Sequence, residues 1–205
     1  TVKEIPCTQQ DGKTRMDIVL SKAECAFVVF HHDGKPSQAK PHQEVTSTLL
    51  SEQKWTVSFP EGWGIDAPLT ITSLKPWYEM VSSAEGKAFS GTATYRTTLH
   101  MDKVEKGANY TLQLGKVEMI AVVRLNGQEL GTLWTEPYQA NITKALKKGD
   151  NTLEIDVTSS WFNRLVYDAG LPEADRKTWV ISGPRKEEKL RANGLLGPVM
   201  VRMEE

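Results

Sequence analysis

The sequence predicts an all-β fold, a β-sandwich of the jelly-roll kind. Three observations carry this. Short runs alternating large apolar and polar residues follow one another closely along the chain, punctuated by Gly, Asn and Pro. Asn126-Gly127 stands between two such runs. That pair signals a hairpin, because a type I′ turn needs positive φ at both central residues. A final apolar run, Leu195 to Met203, supplies the closing strand of a jelly roll. Helical periodicity is too sparse for an α/β sheet.

Taken in order, Arg15 to Leu20 and Cys25 to Phe30 are strand-like, with Asp11-Gly12 as a turn before the first. The run Cys25-Ala-Phe-Val-Val-Phe30 is continuously apolar, as expected of a strand buried on both faces. This extra N-terminal β segment, 1–31, is read as the end of an upstream domain or as part of the sandwich. Residues 32–51 follow as a linker, because 32–42 hold Gly, two Pro and no apolar period. The jelly roll is then expected over 52–205. Its strands are Trp55 to Phe59, Leu69 to Leu74, the Thr-rich Gly91 to Met101, Tyr110 to Leu114, Ala121 to Leu125, Gln128 to Leu133 and Thr152 to Val157. Asn141 to Gly149 reads as one or two helical turns, with Asn141 as N-cap and Gly149 as terminator. Asn193-Gly194 precedes the last strand.

Composition narrows the function classes. Apolar residues make up 39% and charged residues 25% of 205, an ordinary globular balance. A formal net charge of −1 gives no electrostatic basis for a nucleic-acid or anionic-membrane partner. No apolar run approaches the ~20 residues of a membrane helix. The chain begins with Thr1 and shows no signal peptide, so it is expected to be cut from a longer protein. Cys7 and Cys25 are either buried thiols on separate strands or a pair in an oxidising compartment. The four His have no paired-ligand spacing, and no EF-hand-like pattern supports a structural calcium, so no cofactor or metal is expected.

Leu114 to Leu153 reads strand, Gly-x-Val, Ala-x-Val-x-Leu-Asn-Gly, Leu-Gly-x-x-Trp, Tyr, Asn-Ile-Thr, Leu-Lys-x-Gly-x-Asn-Thr-Leu. This order resembles the sugar-binding domain of family 2 glycoside hydrolases, a galactose-binding-like jelly roll. Phe89-Ser-Gly-Thr-Ala-Thr-Tyr95, Trp161-x-Asn-Arg-Leu-x-x-Asp168 and Gly194-Leu-Leu-Gly-Pro-Val199 resemble the C-terminal region of the α-L-rhamnosidase-type family 106 hydrolases. The resemblance spans residues 52 to 205. It implies a bacterial, periplasmic or extracellular protein whose catalytic carboxylates lie in a separate upstream barrel. This chain would then be a non-catalytic accessory domain. Family 2 usually carries a Gly-rich loop after Trp134, where this chain has Thr135-Glu-Pro-Tyr138, so no sugar contact is carried over from that loop.

Catalysis on glycosides needs two carboxylates roughly 5–10 Å apart. No such pair stands out, so no catalytic residue is assigned. Glu136 and Asp168 are the two worth inspection, and they are expected to be a surface charge and a structural carboxylate. Sugar binding needs aromatic faces beside polar groups. The candidates are Trp134, Tyr138 and Trp161, with Asn163 and Arg164 as hydroxyl partners and Trp63 as a further ring. Each ring could instead seal the sandwich, and Trp55 and Trp77 are expected in its core. Arg164 is expected to pair with Asp168 and pin a loop that begins at Trp161. Three functions stay in play: an accessory domain of a larger glycosidase, an independent carbohydrate-binding module, and a hydrolase in its own right.

Overall fold

A computed structural model describes residues 4–18, 20, 25–30 and 45–204. Two antiparallel sheets face each other across one apolar core. The larger sheet has the order β10-β9-β12-β6-β4-β5. Its strands are β4 (Trp55–Ser58), β5 (Leu69–Ile71), β6 (Thr92–Met101), β9 (Ile120–Leu125), β10 (Gln128–Leu133) and β12 (Gly149–Thr158). The smaller sheet runs β11-β7-β14-β3. It is built from β3 (Val45–Leu49), β7 (Asn109–Gln113), β11 (Gln139–Asn141) and β14 (Met200–Glu204). Two minor pairs complete the set: β1 (Cys7–Gln10) with β2 (Lys13–Met16), and β8 (Lys116–Glu118) with β13 (Gly194–Gly197).

Alternation decides which side of each strand is wet. On β12, Asn151, Leu153, Ile155 and Val157 face inward, and the residues between them face out. Tyr95 and Leu99 of β6, Val123 of β9, Trp55 and Val57 of β4 and Leu112 of β7 meet them in the core. The outer face fixes the register of the central pair. Thr92 opposes Thr158, Thr94 opposes Asp156 and Arg96 opposes Glu154. Each couple is hydrogen-bonded through its side chains, at 2.7, 2.7 and 2.6 Å. A one-residue slip would break all three and turn the core outward.

Several sequence expectations change. The described part of the expected linker 32–51 contains β3, which pairs with β14 from Val45 to Leu49. The sandwich therefore starts before residue 52. Residues 32–42 of the linker lie outside the described residues. The apolar run 25–30 forms no strand and is exposed, with Phe27 at 95%. Cys25 is exposed and Cys7 half-buried, and both are free thiols, so neither is the buried thiol expected. Residues 141–149 make a turn and not a helix. Asn141 is still paired to Thr111, and the buried Asn151 side chain bonds Lys147 N, Lys147 O and Gly149 O, which holds the chain in a turn. The run Leu195 to Met203 is two strands in different sheets, because Pro198 has no N–H and Gly197 takes φ +71. The turns at Asp11-Gly12 and Asn126-Gly127 have positive φ throughout, as type I′ geometry requires.

Outside the sheets, the described residues hold three short α-helices, α1 (Trp77–Met80), α2 (Ala84–Lys87) and α3 (Phe162–Asp168), and one 3-10 turn, Glu173–Asp175. Trp77 and Trp55 are fully buried. The Tyr95 hydroxyl accepts from Trp77 Nε1 at 2.6 Å and from Leu195 N at 3.1 Å, which ties α1 and β13 to the large sheet. Burial pushes the Tyr95 phenol up to about 12.

Candidate functional site

The candidate residues gather at one end of the large sheet, and strand register shows why. β10 ends at Leu133, abreast of Ala121 on β9, which is abreast of Val157 on β12. Trp134 and Trp161 therefore leave the sheet from the same end, on strands two spacings apart, roughly 10 Å. Trp134 is 72% exposed and Trp161 48%, and the exposed Met119 and Ile120 lie at this end too. Tyr138 is half-buried, and its hydroxyl donates to Met119 O at 2.7 Å. Burial raises the Tyr138 phenol, assisted by Glu118 and Glu136. Trp134, Tyr138 and Trp161 thus border one rim.

The chain beyond Trp161 is the helix α3, where a loop was expected. Trp161 offers the helix no side-chain cap, and Arg164 N bonds Ser90 Oγ at 3.1 Å, which docks α3 against the start of β6. Asn163 and Arg164, the candidate hydroxyl partners, are both buried on this helix, Arg164 at 1% exposure. Arg164 makes two ion pairs, Nη2 to Asp168 Oδ1 at 2.7 Å and Nη1 to Glu85 Oε1 at 2.9 Å. Lys177 Nζ joins Glu85 at 2.8 Å and also donates to Gly62 O. The Arg164 guanidinium lies 5.3 Å from the Trp63 ring and 5.1 Å from the Tyr167 ring. Arg164 Nε is buried with no hydrogen-bond partner among the described residues. The two rings compensate part of that, as cation–π contacts do when desolvated. Trp63 in turn meets Trp161 at 5.8 Å and Phe89 at 5.8 Å.

Asp168 is also buried. Its Oδ1 faces the Arg164 guanidinium as an ion pair only, without hydrogen-bond geometry, and its hydrogen bonds to the described residues are all on Oδ2. Its Oδ2 accepts from Lys177 N, Thr178 N and Thr178 Oγ1 at 3.0, 2.8 and 2.6 Å. Burial pushes its carboxyl up, but the Thr178 bonds and the Arg164 guanidinium outweigh this and hold it below its ordinary value. Glu85 is lowered as well, chiefly by hydrogen bonds from Lys177 and then Arg164. Both carboxylates are thus kept ionised in neutral water, the opposite of what a general acid requires. Asn163 holds a more distant stretch of chain. Its Nδ2 donates to Arg191 O at 2.9 Å and its Oδ1 accepts from Arg191 N at 2.8 Å. Among the described residues no group of three or more His, Cys, Asp or Glu could hold a metal ion.

Arg164 and Asp168 could be named from sequence because they stand four apart. Glu85 and Lys177 could not, being distant in sequence from Arg164. Trp179, 80% exposed in the segment after α3, was also missed. Its signal was present: a Trp-Val-Ile triplet in a polar stretch with Gly and Pro.

Residues 76–191 match the family described as glycosyl hydrolase 2 galactose-binding domain-like. This chain belongs to that family. The rhamnosidase from Novosphingobium sp. PP1Y matches 98% of this chain with a TM-score of 0.85 and 33% identity, and the match covers 19% of that chain. A putative beta-glucuronidase of Formosa agariphila is 29% identical over 96% of this chain and 20% of its own length. The Ruminococcus gnavus beta-glucuronidase matches 81% of this chain and 30% of its own chain at TM-score 0.60 and 17% identity, a likeness of fold alone. The domain thus spans about a fifth of the length of the first two relatives.

Proposed function

We propose that this domain is a non-catalytic accessory sandwich of a larger, α-L-rhamnosidase-like glycoside hydrolase of the family 106 type, acting in the periplasm or outside the cell. It packs against the catalytic module of the same polypeptide and walls one side of the substrate cleft. One observation carries this reading: nearly the whole domain matches about a fifth of a rhamnosidase. The end cluster supports it, because the buried Asp168 and the half-buried Glu85 hold chain segments together and neither has the raised pKa of a glycosidase acid.

A second reading is an independent carbohydrate-binding module. The exposure of Trp134 and Trp161 on one rim favours it, since exposed aromatic faces stack on sugars. Titration with oligosaccharides bearing rhamnose, galactose or uronic acid separates the two. The accessory reading expects no saturable binding at millimolar sugar. Saturable binding that is lost in Trp161→Ala or Trp134→Ala, with the fold intact, would establish the module instead.

A further inference from the structure

Helix α3 clamps the chain that follows it at two points. Near its C-terminal end, Asp168 binds Lys177 and Thr178 through three hydrogen bonds. One residue into the helix, Asn163 brackets Arg191 through two. The Arg191 guanidinium also lies 3.5 Å from the Phe162 ring centroid. Two buried polar side chains of one short helix are thus committed to fixing both ends of the strap 179–190. Burial of such groups is tolerated only with their bonds made, so the strap is held firmly at each end.

Between the clamps the strap presents apolar side chains to water. Trp179 is 80% and Ile181 90% exposed. A Cβ on Gly183 would stand 2.8 Å from Val180 Cγ1, so the strap folds back on Val180 and turns its neighbours outward. Aromatic and branched apolar residues on a firmly held loop, rimmed by charge, are the composition of an interface anchor. Aliphatic Ile181 has no use in stacking on a sugar face. The strap itself carries Arg185, Lys186 and Lys189 against Glu187 and Glu188, and its flanks add Arg176, Arg191 and Lys177, the last paired with Glu85. Arg185, Lys186 and Lys189 are all exposed.

We propose that Trp179 and Ile181 are the docking finger by which this domain seats on its catalytic module, entering an apolar pocket rimmed by carboxylates. The occupant is the remainder of the same polypeptide, because the relatives are about five times as long as the matched region. The strap's basic character selects an acidic rim. The inference rests on the accessory reading above.

Hydroxyl-radical footprinting of the full-length protein tests it, read at Trp179 and Ile181 by peptide mass spectrometry. A synthetic peptide spanning 177–183 serves as the unprotected reference. The finger predicts several-fold protection of both side chains with no sugar present. Peptide-like reactivity both with and without a mixture of rhamnose- and glucuronate-bearing oligosaccharides overturns the finger, and leaves the accessory reading to another face of the domain. Protection that appears only with the oligosaccharides overturns the finger and the accessory reading together, and favours the binding module.

Discussion

Arg164→Ala is expected to destabilise the domain by about 3–5 kcal/mol, the range for breaking a buried ion pair by removing one partner. The cause lies in what stays behind. Asp168 would remain buried with its Oδ1 facing no cation, and Glu85 would keep only Lys177. Tyr167 would lose the Arg164 cation beside its ring, while Trp63 would keep Lys177 Nζ at 4.8 Å. Arg164→Lys recovers little, because one ammonium cannot reproduce the fork that reaches two carboxylates at once. The double variant Arg164→Met/Asp168→Leu is expected to recover part of the loss, since removing both charges abolishes the desolvation penalty, although the strap then loses its Asp168 clamp. Urea unfolding checks this through a lowered midpoint with an unchanged slope. The same network makes this end acid-sensitive. Glu85 and Asp168 lie below their ordinary values of 4.5 and 3.8. A depressed carboxylate stabilises the fold above its unfolded pKa, and the contribution is lost as pH falls through the folded value. The Glu85 pairs with Arg164 and Lys177 are therefore full at neutral pH and weaken as pH falls below about 4.5, whereas the Asp168 clamp on the strap weakens only below about 3.8.

Gly115→Ala is expected to cost about 2–5 kcal/mol, combining a left-handed penalty with an overpacked contact. Gly115 has φ +64, and its new Cβ would stand 2.3 Å from Gly197 C and 2.5 Å from Pro198 N. The opposing atoms are backbone, so no rotamer change relieves the clash. Gly115 bridges Gly197 directly, where β7 hands over to β8 and β13 to β14. This is where the chain passes between the small pair and the four-stranded sheet, so a shift there disturbs both. Gly127→Ala is the control. Gly127 has φ +80 but nothing within 4 Å of its Cβ position, so only the conformational part, about 1–2 kcal/mol, is expected. Thermal unfolding of the two variants side by side separates clash from strain.

Much of the large sheet was legible because its strands obey a period of two. Trp55 to Phe59, Gly91 to Met101, Ala121 to Leu133 and Thr152 to Val157 all appear as strands near their expected places. β3 was hidden by composition. Val-Thr-Ser-Thr-Leu sits beyond a Pro-rich stretch, and pairing with β14 makes it a strand, not an apolar period. The run 25–30 misled for the opposite reason, being apolar yet exposed. Local strength of signal does not reveal what covers a segment. In the end cluster, the pairing of Arg164 with Asp168 lies within one helical turn and could be anticipated. Glu85, Gly62 and Lys177 reach it only through the tertiary fold, and no spacing rule would collect them.

The most direct measurement compares calorimetric unfolding of the full-length protein with that of a variant lacking residues 45–204. The accessory account predicts that the remaining module melts at a clearly lower temperature, because it has lost a docked neighbour and exposes the face that neighbour covered. An unchanged melting temperature for the remainder would contradict it, and would mean that the sandwich is tethered to the catalytic module without supporting it.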